Sequence, residues 1–155
     1  MIIREVKGRP PLLIAQLVEV WEASVRATHL FLSDQEIRAI RGYVPQALEH
    51  VAHLMVAERE DGAPAAFLGA EEQRLEMLFL APDARGQGLG KRLLHEGIAR
   101  FSIRELAVNE QNPQARGFYE HMGFRVVRRA ELDEQGNPYP LLYMRLEGLG
   151  GADAL

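Results

Sequence analysis

The chain has 155 residues, 47% of them apolar, no cysteine, and a formal net charge of −4 at pH 7. This length and apolar content suit one domain with a sizeable core. The lack of cysteine excludes disulfides, thiolate metal sites and an acyl-cysteine intermediate, so any acyl transfer would be direct or would use another nucleophile. The acidic balance argues against nucleic acid as a partner, because sequence-independent binding to a phosphate backbone depends on clustered cations.

Nothing in the sequence indicates a membrane partner. No run of about 18 uncharged apolar residues occurs, and residues 1–6 read as a strand rather than as a basic segment leading into an apolar one. We therefore expect a cytoplasmic protein.

The first part of the chain predicts helices followed by an antiparallel meander. After a strand over 2–6, helical spacing of apolar residues predicts a long helix from Pro10 to Thr28. Ser33 and Glu36 match a capping box, so a second helix should begin near Asp34, run to about Tyr43 and resume after Pro45. Alternating apolar residues then predict three strands, over 53–59, 65–70 and 74–80, with a turn at 61–64.

A glycine-rich loop, Arg85-Gly86-Gln87-Gly88-Leu89-Gly90, follows the third of these strands and precedes a helix that extends to Phe101. Glycines at every second position allow a tight turn and close approach of the backbone to a ligand, and a helix N-terminus offers unpaired amides to an anion. The Walker A pattern does not match, because Arg85 stands in place of its first Gly and Arg92 in place of its Ser or Thr, and the dinucleotide-binding pattern fails on its glycine spacing. The loop is therefore interpreted as a pyrophosphate cradle, with Arg85 adding a charge-assisted donor.

The last part of the chain predicts a strand over 103–108, reached by a crossover, and a short helix. Asn112 is a candidate cap of this helix, Pro113 is suited to its first position, and Gly123 ends it. Strands over 124–129 and 140–146 should pair as a closing hairpin. Residues 148–155 are expected to form a flexible tail.

The order of elements and the loop resemble the GNAT superfamily of acetyl-coenzyme A-dependent N-acetyltransferases. Arg85, Gly88 and Gly90 match the fixed positions of its signature, [Q/R]-x-x-G-x-[G/A], and a second signature lies in the run from Val108 to Tyr119, followed by Met122-Gly123-Phe124. The likeness covers residues 1–147, which we interpret as one domain. It implies an α/β (α+β) fold, with a mixed, mostly antiparallel sheet of six or seven strands, splayed between the fourth and fifth, and about four helices.

The resemblance also implies the binding residues for acetyl-CoA, the expected co-substrate, with no metal. Backbone groups of strand 74–80 would bind the pantetheine arm, the glycine loop the pyrophosphate, and residues of the second signature the thioester end. The expected set is Leu78, Phe79, Leu80, Arg85, Gly86, Gln87, Gly88, Leu89, Gly90, Lys91, Asn109, Asn112, Ala115, Phe118 and Tyr119. A homodimer is a further expectation, with Tyr139, Leu141 and Tyr143 as contact candidates.

The chemistry predicted from the resemblance is direct displacement, in which an amine attacks the thioester and the coenzyme A thiolate leaves. An amide near Leu78 is the candidate donor to the oxyanion, and Tyr119, with a reference pKa of about 10, the candidate acid for the thiolate. Tyr119 also lies on an apolar helix stripe, where a packing role is the competing interpretation. Glu76 is the candidate base, although a solvated strand residue is an equal interpretation; His29 and His53 are weaker alternatives, better explained by structural hydrogen bonds.

Trp21, His29 and Phe31 are candidate substrate-binding residues, with packing the competing role for Trp21. The predicted function is acetyl transfer to a primary amine, on a small molecule, a protein lysine or a protein N-terminus. Two alternatives stay open: a non-catalytic acyl-coenzyme A sensor, and a toxin that acetylates aminoacyl-tRNA.

Overall fold

The computed structural model describes residues 1–147, so the tail predicted over 148–155 lies outside the described residues. Contacts between Cα atoms divide the chain into two compact units, Met1–Ile103 and a second that begins at Arg104.

The first unit contains four strands and four helices. They are β1 (Ile2–Glu5), α1 (Pro11–Thr28), α2 (Asp34–Arg41), α3 (Val44–His50), β2 (His53–Glu58), β3 (Pro64–Glu71), β4 (Arg74–Leu80) and α4 (Leu89–Phe101), with a 3-10 turn over Pro82–Ala84. The strands pair antiparallel in the order β1-β2-β3-β4, which includes the predicted meander.

Helices cover both faces of this four-stranded sheet. One face packs against α1, α2 and α3 through a core that includes Leu17, Trp21, Leu48 and Phe67. The other face packs against α4, where Gly97 allows a close approach: a Cβ atom there would lie 2.8 Å from Ile103 Cδ1 and 3.1 Å from Leu68 Cδ1. The sheet is therefore held between two helical layers, as expected for the largely buried central strands β2 and β3.

Helix boundaries follow the local signals in the sequence. Ser33 caps α2, with its Oγ accepting from Glu36 N at 3.1 Å and Glu36 Oε1 accepting from Ser33 N at 2.8 Å, so the predicted capping box is confirmed. This helix ends at Arg41, and a separate helix begins at Val44, with Pro45 in its first turn, slightly before the predicted restart.

The second unit contains β5 (Glu105–Asn109), α5 (Pro113–His121), β6 (Phe124–Ala130) and β7 (Leu141–Leu146). The last strand pairs antiparallel with both others, and the predicted closing hairpin is confirmed. The strand predicted over 103–108 instead spans Glu105–Asn109, and Ile103, which precedes it, is buried beside Gly97.

Candidate active site

The glycine loop has the backbone geometry that an anion cradle requires. Gly86 and Gly88 have φ of +77° and +76°, a left-handed conformation that side chains disfavour, and a Cβ atom at either would point into open space. Gly88 is the N-cap of α4, whose first backbone bond runs from Arg92 N to Gly88 O at 3.1 Å. Within the described part of the chain, the six consecutive amides of residues 86–91 donate to no acceptor. An anion placed here would meet unpaired N–H groups and the positive end of a helix dipole.

The charges around the loop also suit an anion. Arg85 and Lys91 are exposed and form no ion pair with any residue that the structure describes. The nearby carboxylate of Asp83 is engaged by Arg59 at 2.8 Å, and the Gln87 side-chain amide donates to the Asp83 carbonyl at 3.2 Å. Two free cations therefore flank the open amides, while the acid is neutralised by its own partner.

The fourth strand, β4, carries a bulge at Glu76. Met77 pairs with Gly69 and Leu75 with Ala70, which leaves Glu76 as the extra residue of the ladder. Its carboxylate lies 3.7 Å from Arg74 Nε, and its side chain is 38% exposed. Leu78, Phe79 and Leu80 continue β4 beyond the bulge and pair with β3. A bulge redirects a strand, so the local geometry of β4 changes just before the residues predicted to bind pantetheine.

Tyr119 lies on α5 among aromatic rings. Its ring centroid is 5.3 Å from that of Phe118 and 6.1 Å from that of Phe124, both in edge-to-face arrangements. Burial raises the pKa of the phenol well above its ordinary value. Among the described residues, none forms a hydrogen bond with the Tyr119 hydroxyl. The side chain therefore stays protonated at neutral pH, with its proton available to a ligand.

The two asparagines of the second signature lie close to this helix. Asn112 is buried, and its Oδ1 caps α5 by accepting from Ala115 N at 3.2 Å. The backbone N–H of Asn112 donates to Asn109 O at 3.0 Å. Asn109 ends β5. The cap predicted for Asn112 is thus present, and the second unit brings together Asn109, Asn112, Ala115, Phe118 and Tyr119 on one strand end and one helix.

The candidate substrate residues fall into two environments. Trp21 is only 6% exposed and belongs to the core of the first unit, which favours the packing role that the sequence also allowed. His29 and Phe31 lie in the loop between α1 and α2, with ring centroids 5.5 Å apart. His53 stacks on Phe101 at 4.5 Å, at the start of β2, which favours its structural interpretation.

One contributor to this loop was missed from the sequence. Thr28 bridges the end of α1 and His29: its hydroxyl lies 2.9 Å from Ser24 O and 2.9 Å from His29 Nδ1. A threonine four residues after a buried serine, and just before a histidine, is a weak signal that gains meaning only when the helix end is known.

Among residues 1–147, no group of three or more histidine or acidic side chains is arranged to hold a metal ion, and no helix is long and apolar enough to span a membrane.

Comparison with known proteins identifies the family. The model of the acetyltransferase (GNAT) domain matches residues 22–147. The chain belongs to the GNAT family of N-acetyltransferases. It is 41% identical over 127 residues, 82% of this chain and 87% of the relative, to the peptidyl-lysine N-acetyltransferase YjaB of Salmonella typhimurium.

Solved structures agree with this assignment. The solution structure of apo YjaB from Escherichia coli has a TM-score of 0.82 and 37% identity, covering 94% of this chain and 97% of that one. A PaiA N-acetyltransferase from Thermoplasma acidophilum in complex with coenzyme A shares the fold, with a TM-score of 0.63 and 20% identity over 94% of this chain and 99% of that one. The predicted family, α/β fold class and acyltransferase activity are confirmed, and α3, predicted as a continuation of α2, is a separate short helix.

Proposed function

We propose that the protein transfers the acetyl group of acetyl-CoA directly to the primary amine of a lysine side chain, within a complex that holds both substrates. The observation that carries this proposal is the run of open amides over 86–91 between Arg85 and the first turn of α4. Such a cradle suits the pyrophosphate of coenzyme A, and lysine is the acceptor of the relative at 41% identity. The lack of cysteine supports direct transfer, since no thiol can carry the acetyl group.

Pyrophosphate binding is assigned to the loop and the first turn of α4. The residues proposed to contact it are Arg85, Gly86, Gln87, Gly88, Leu89, Gly90 and Lys91. For the pantetheine arm we propose Leu78, Phe79 and Leu80, and for the thioester end Asn109, Asn112, Ala115 and Phe118. These assignments rest on the family likeness together with the local geometry of each segment.

Tyr119 is proposed as the acid that protonates the leaving thiolate. Its raised pKa keeps the phenol protonated throughout the neutral range, so the proton is present for transfer to the thiolate. An amide at Leu78 is proposed to donate to the oxyanion, a contribution typically worth about 3 kcal/mol of barrier. Glu76, the exposed residue of the bulge in β4, stays a candidate base for the acceptor amine, with His29 as the alternative.

Residues 1–147 are proposed to act as one acetyltransferase domain, supported by a family match that includes residues of both compact units. His29 and Phe31 are proposed to contact the acceptor. A homodimer through the segment with Tyr139, Leu141 and Tyr143 also stays a prediction.

The test combines calorimetry with turnover. We expect acetyl-CoA to bind with measurable heat, and coenzyme A release to depend on a lysine peptide rather than on aminoacyl-tRNA. Tyr119→Phe should keep the affinity for acetyl-CoA and lower kcat by about 10²-fold, the usual contribution of a positioned acid. Tyr43→Phe is the matched control, because Tyr43 is 73% exposed. Binding without turnover in the parent protein would favour the acyl-coenzyme A sensor, and full activity of Tyr119→Phe would exclude the proposed acid.

A further inference from the structure

The loop between α1 and α2 is fixed by ion pairs on both sides. Arg26 on α1 contacts Glu22 at 2.8 Å and Asp34 at 2.7 Å, and Asp34 also contacts Arg38 at 2.8 Å. Arg41 at the end of α2 pairs with Glu22 and, at 2.8 Å, with Glu19 on α1. These six residues, Glu19, Glu22, Arg26, Asp34, Arg38 and Arg41, form one continuous chain of charges, here termed the α1–α2 clamp. Because the clamp joins the two helices, the residues between them occupy a defined position.

Within this loop, hydrogen bonding fixes the tautomer of His29. Thr28 has a single hydroxyl proton, and Ser24 O, 2.9 Å away, can only accept it. The contact of 2.9 Å between Thr28 Oγ1 and His29 Nδ1 therefore requires Nδ1 to be the donor. In a neutral ring, this leaves the lone pair on Nε2, which has no hydrogen-bond partner among residues 1–147. Backbone and side chain together thus present one ring nitrogen as a base.

The environment favours the neutral ring. Burial lowers the pKa of His29 below its ordinary value of about 6.5, and no charged side chain contributes to this change. The charged groups closest along the flanking helices, Arg26 and Asp34, are paired with each other. At pH 7 the base form therefore predominates.

The neighbours of His29 suit the aliphatic stem of a lysine. Phe31 lies with its ring 5.5 Å from the imidazole, and Leu30, at the tip of the loop, is 82% exposed. Phe31 and the exposed Leu30 offer apolar surface for methylene groups, while Nε2 can accept from an ammonium.

We propose that His29 is the general base that deprotonates the acceptor amine, an inference that rests on the proposed function. The incoming ammonium loses two protons. His29 Nε2 takes the first as the nitrogen bonds to the thioester carbonyl carbon, and passes it to water after turnover. The second leaves the nitrogen as the carbon–sulfur bond breaks and replaces the proton that Tyr119 gives to the thiolate. The products are the N-acetyl amine, coenzyme A as the thiol, and one released proton.

The decisive variant is His29→Asn, because the asparagine amide keeps a donor for Thr28 and removes the base. We expect kcat/KM at pH 7 to fall about 10²-fold, within the usual range for general base catalysis, with the affinity for acetyl-CoA unchanged. In the parent protein kcat/KM should reach a plateau above the pKa of His29. In His29→Asn it should instead rise about tenfold per pH unit from pH 6 to 9, because only the free amine of the acceptor, with a pKa of about 10.4, then reacts.

Two controls separate catalysis from structure. His50→Asn removes another histidine, exposed at the end of α3, whose Nδ1 contacts Gln46 O at 2.8 Å, and should leave both the rate and the pH profile unchanged. Thr28→Val removes the acceptor of the Nδ1 proton, and should lower kcat severalfold while keeping the pH plateau.

The outcomes distinguish this inference from the proposed function. Loss of acetyl-CoA binding in the parent protein would contradict the proposed function itself. If the parent protein turns over acetyl-CoA, and His29→Asn keeps a rate within threefold of the parent and the same pH plateau, the role of His29 would be overturned. If His29→Asn does not fold, His29→Gln and the ¹⁵N shifts of the parent imidazole decide: a proton on Nε2 at pH 7 would contradict the proposal.

Discussion

Two loops of the first compact unit are held in place by opposite means. The glycine loop over 85–90 is defined by its backbone, with two left-handed glycines and a run of open amides. The loop over 29–33 is defined by side chains, through the α1–α2 clamp and the hydrogen bonds of Thr28. A backbone site recognises phosphate, which every acetyl-CoA carries, whereas a side-chain site can vary with the acceptor. This contrast suggests that co-substrate binding and acceptor choice are encoded separately.

The largest expected effect comes from replacing both left-handed glycines. In Gly86→Ala/Gly88→Ala, each alanine disfavours the left-handed region by about 1–2 kcal/mol, so the loop should leave the conformation that points its amides at one anion. The free energy needed to restore that conformation on binding should lower the affinity for acetyl-CoA by about 30- to 1,000-fold, as measured by calorimetry.

A matched control carries the same strain elsewhere. Gly62 and Gly136 have φ of +88° and +83°, a Cβ atom added at either would meet open space, and both lie in turns distant in sequence from the glycine loop. Gly62→Ala/Gly136→Ala should lose stability but keep the affinity for acetyl-CoA. Equal weakening in the two double variants would show that strain, rather than amide placement, controls binding.

This difference between the loops also explains what the sequence could predict. Glycine spacing, the strand before it and the helix after it are local signals, so the position of the loop between β4 and α4 and the boundaries of β4 were predicted correctly. The capping box at Ser33 and Glu36 is local as well, and α2 begins where it indicates. By contrast, the clamp joins residues up to 22 positions apart, such as Glu19 and Arg41, and its geometry depends on how α1 packs against α2. The bulge at Glu76 likewise depends on pairing with β3, which no pattern within β4 reveals.

A third loop tests whether left-handed backbone alone indicates function. Glu72 and Gln73 join β3 to β4 with φ of +49° and +68°, although neither is glycine. Two-residue hairpin turns with positive φ favour Asn-Gly, so Glu72→Asn/Gln73→Gly should relieve strain and stabilise the protein by about 1–2 kcal/mol. Chemical denaturation measures this gain, and acetyl-CoA affinity should not change. A loss of affinity would mean that this turn, too, contributes to the site.

The smallest expected effect concerns the clamp. Glu22 contacts both Arg26 and Arg41, and hydrogen bonds from these two arginines lower the pKa of its carboxyl. Because the folded-state pKa lies below the unfolded value, the contribution to stability is present above about pH 4.3 and is lost as the pH falls through the folded pKa. Glu22→Gln should cost about 0.5–1 kcal/mol at pH 7 and almost nothing at pH 2, as determined by urea unfolding at each pH.

The kinetic consequence of this variant distinguishes the two loops. A looser clamp should raise KM for the lysine peptide a fewfold and leave the affinity for acetyl-CoA unchanged, since the clamp holds only the loop with His29. Glu96→Gln is the matched control: Glu96 pairs with Arg100 at 2.8 Å on α4, an i,i+4 pair that lies outside the clamp. If Glu22→Gln lowered the affinity for acetyl-CoA by as large a factor as it raised KM for the lysine peptide, the two loops would be energetically coupled. Co-substrate and acceptor recognition would then not be separate.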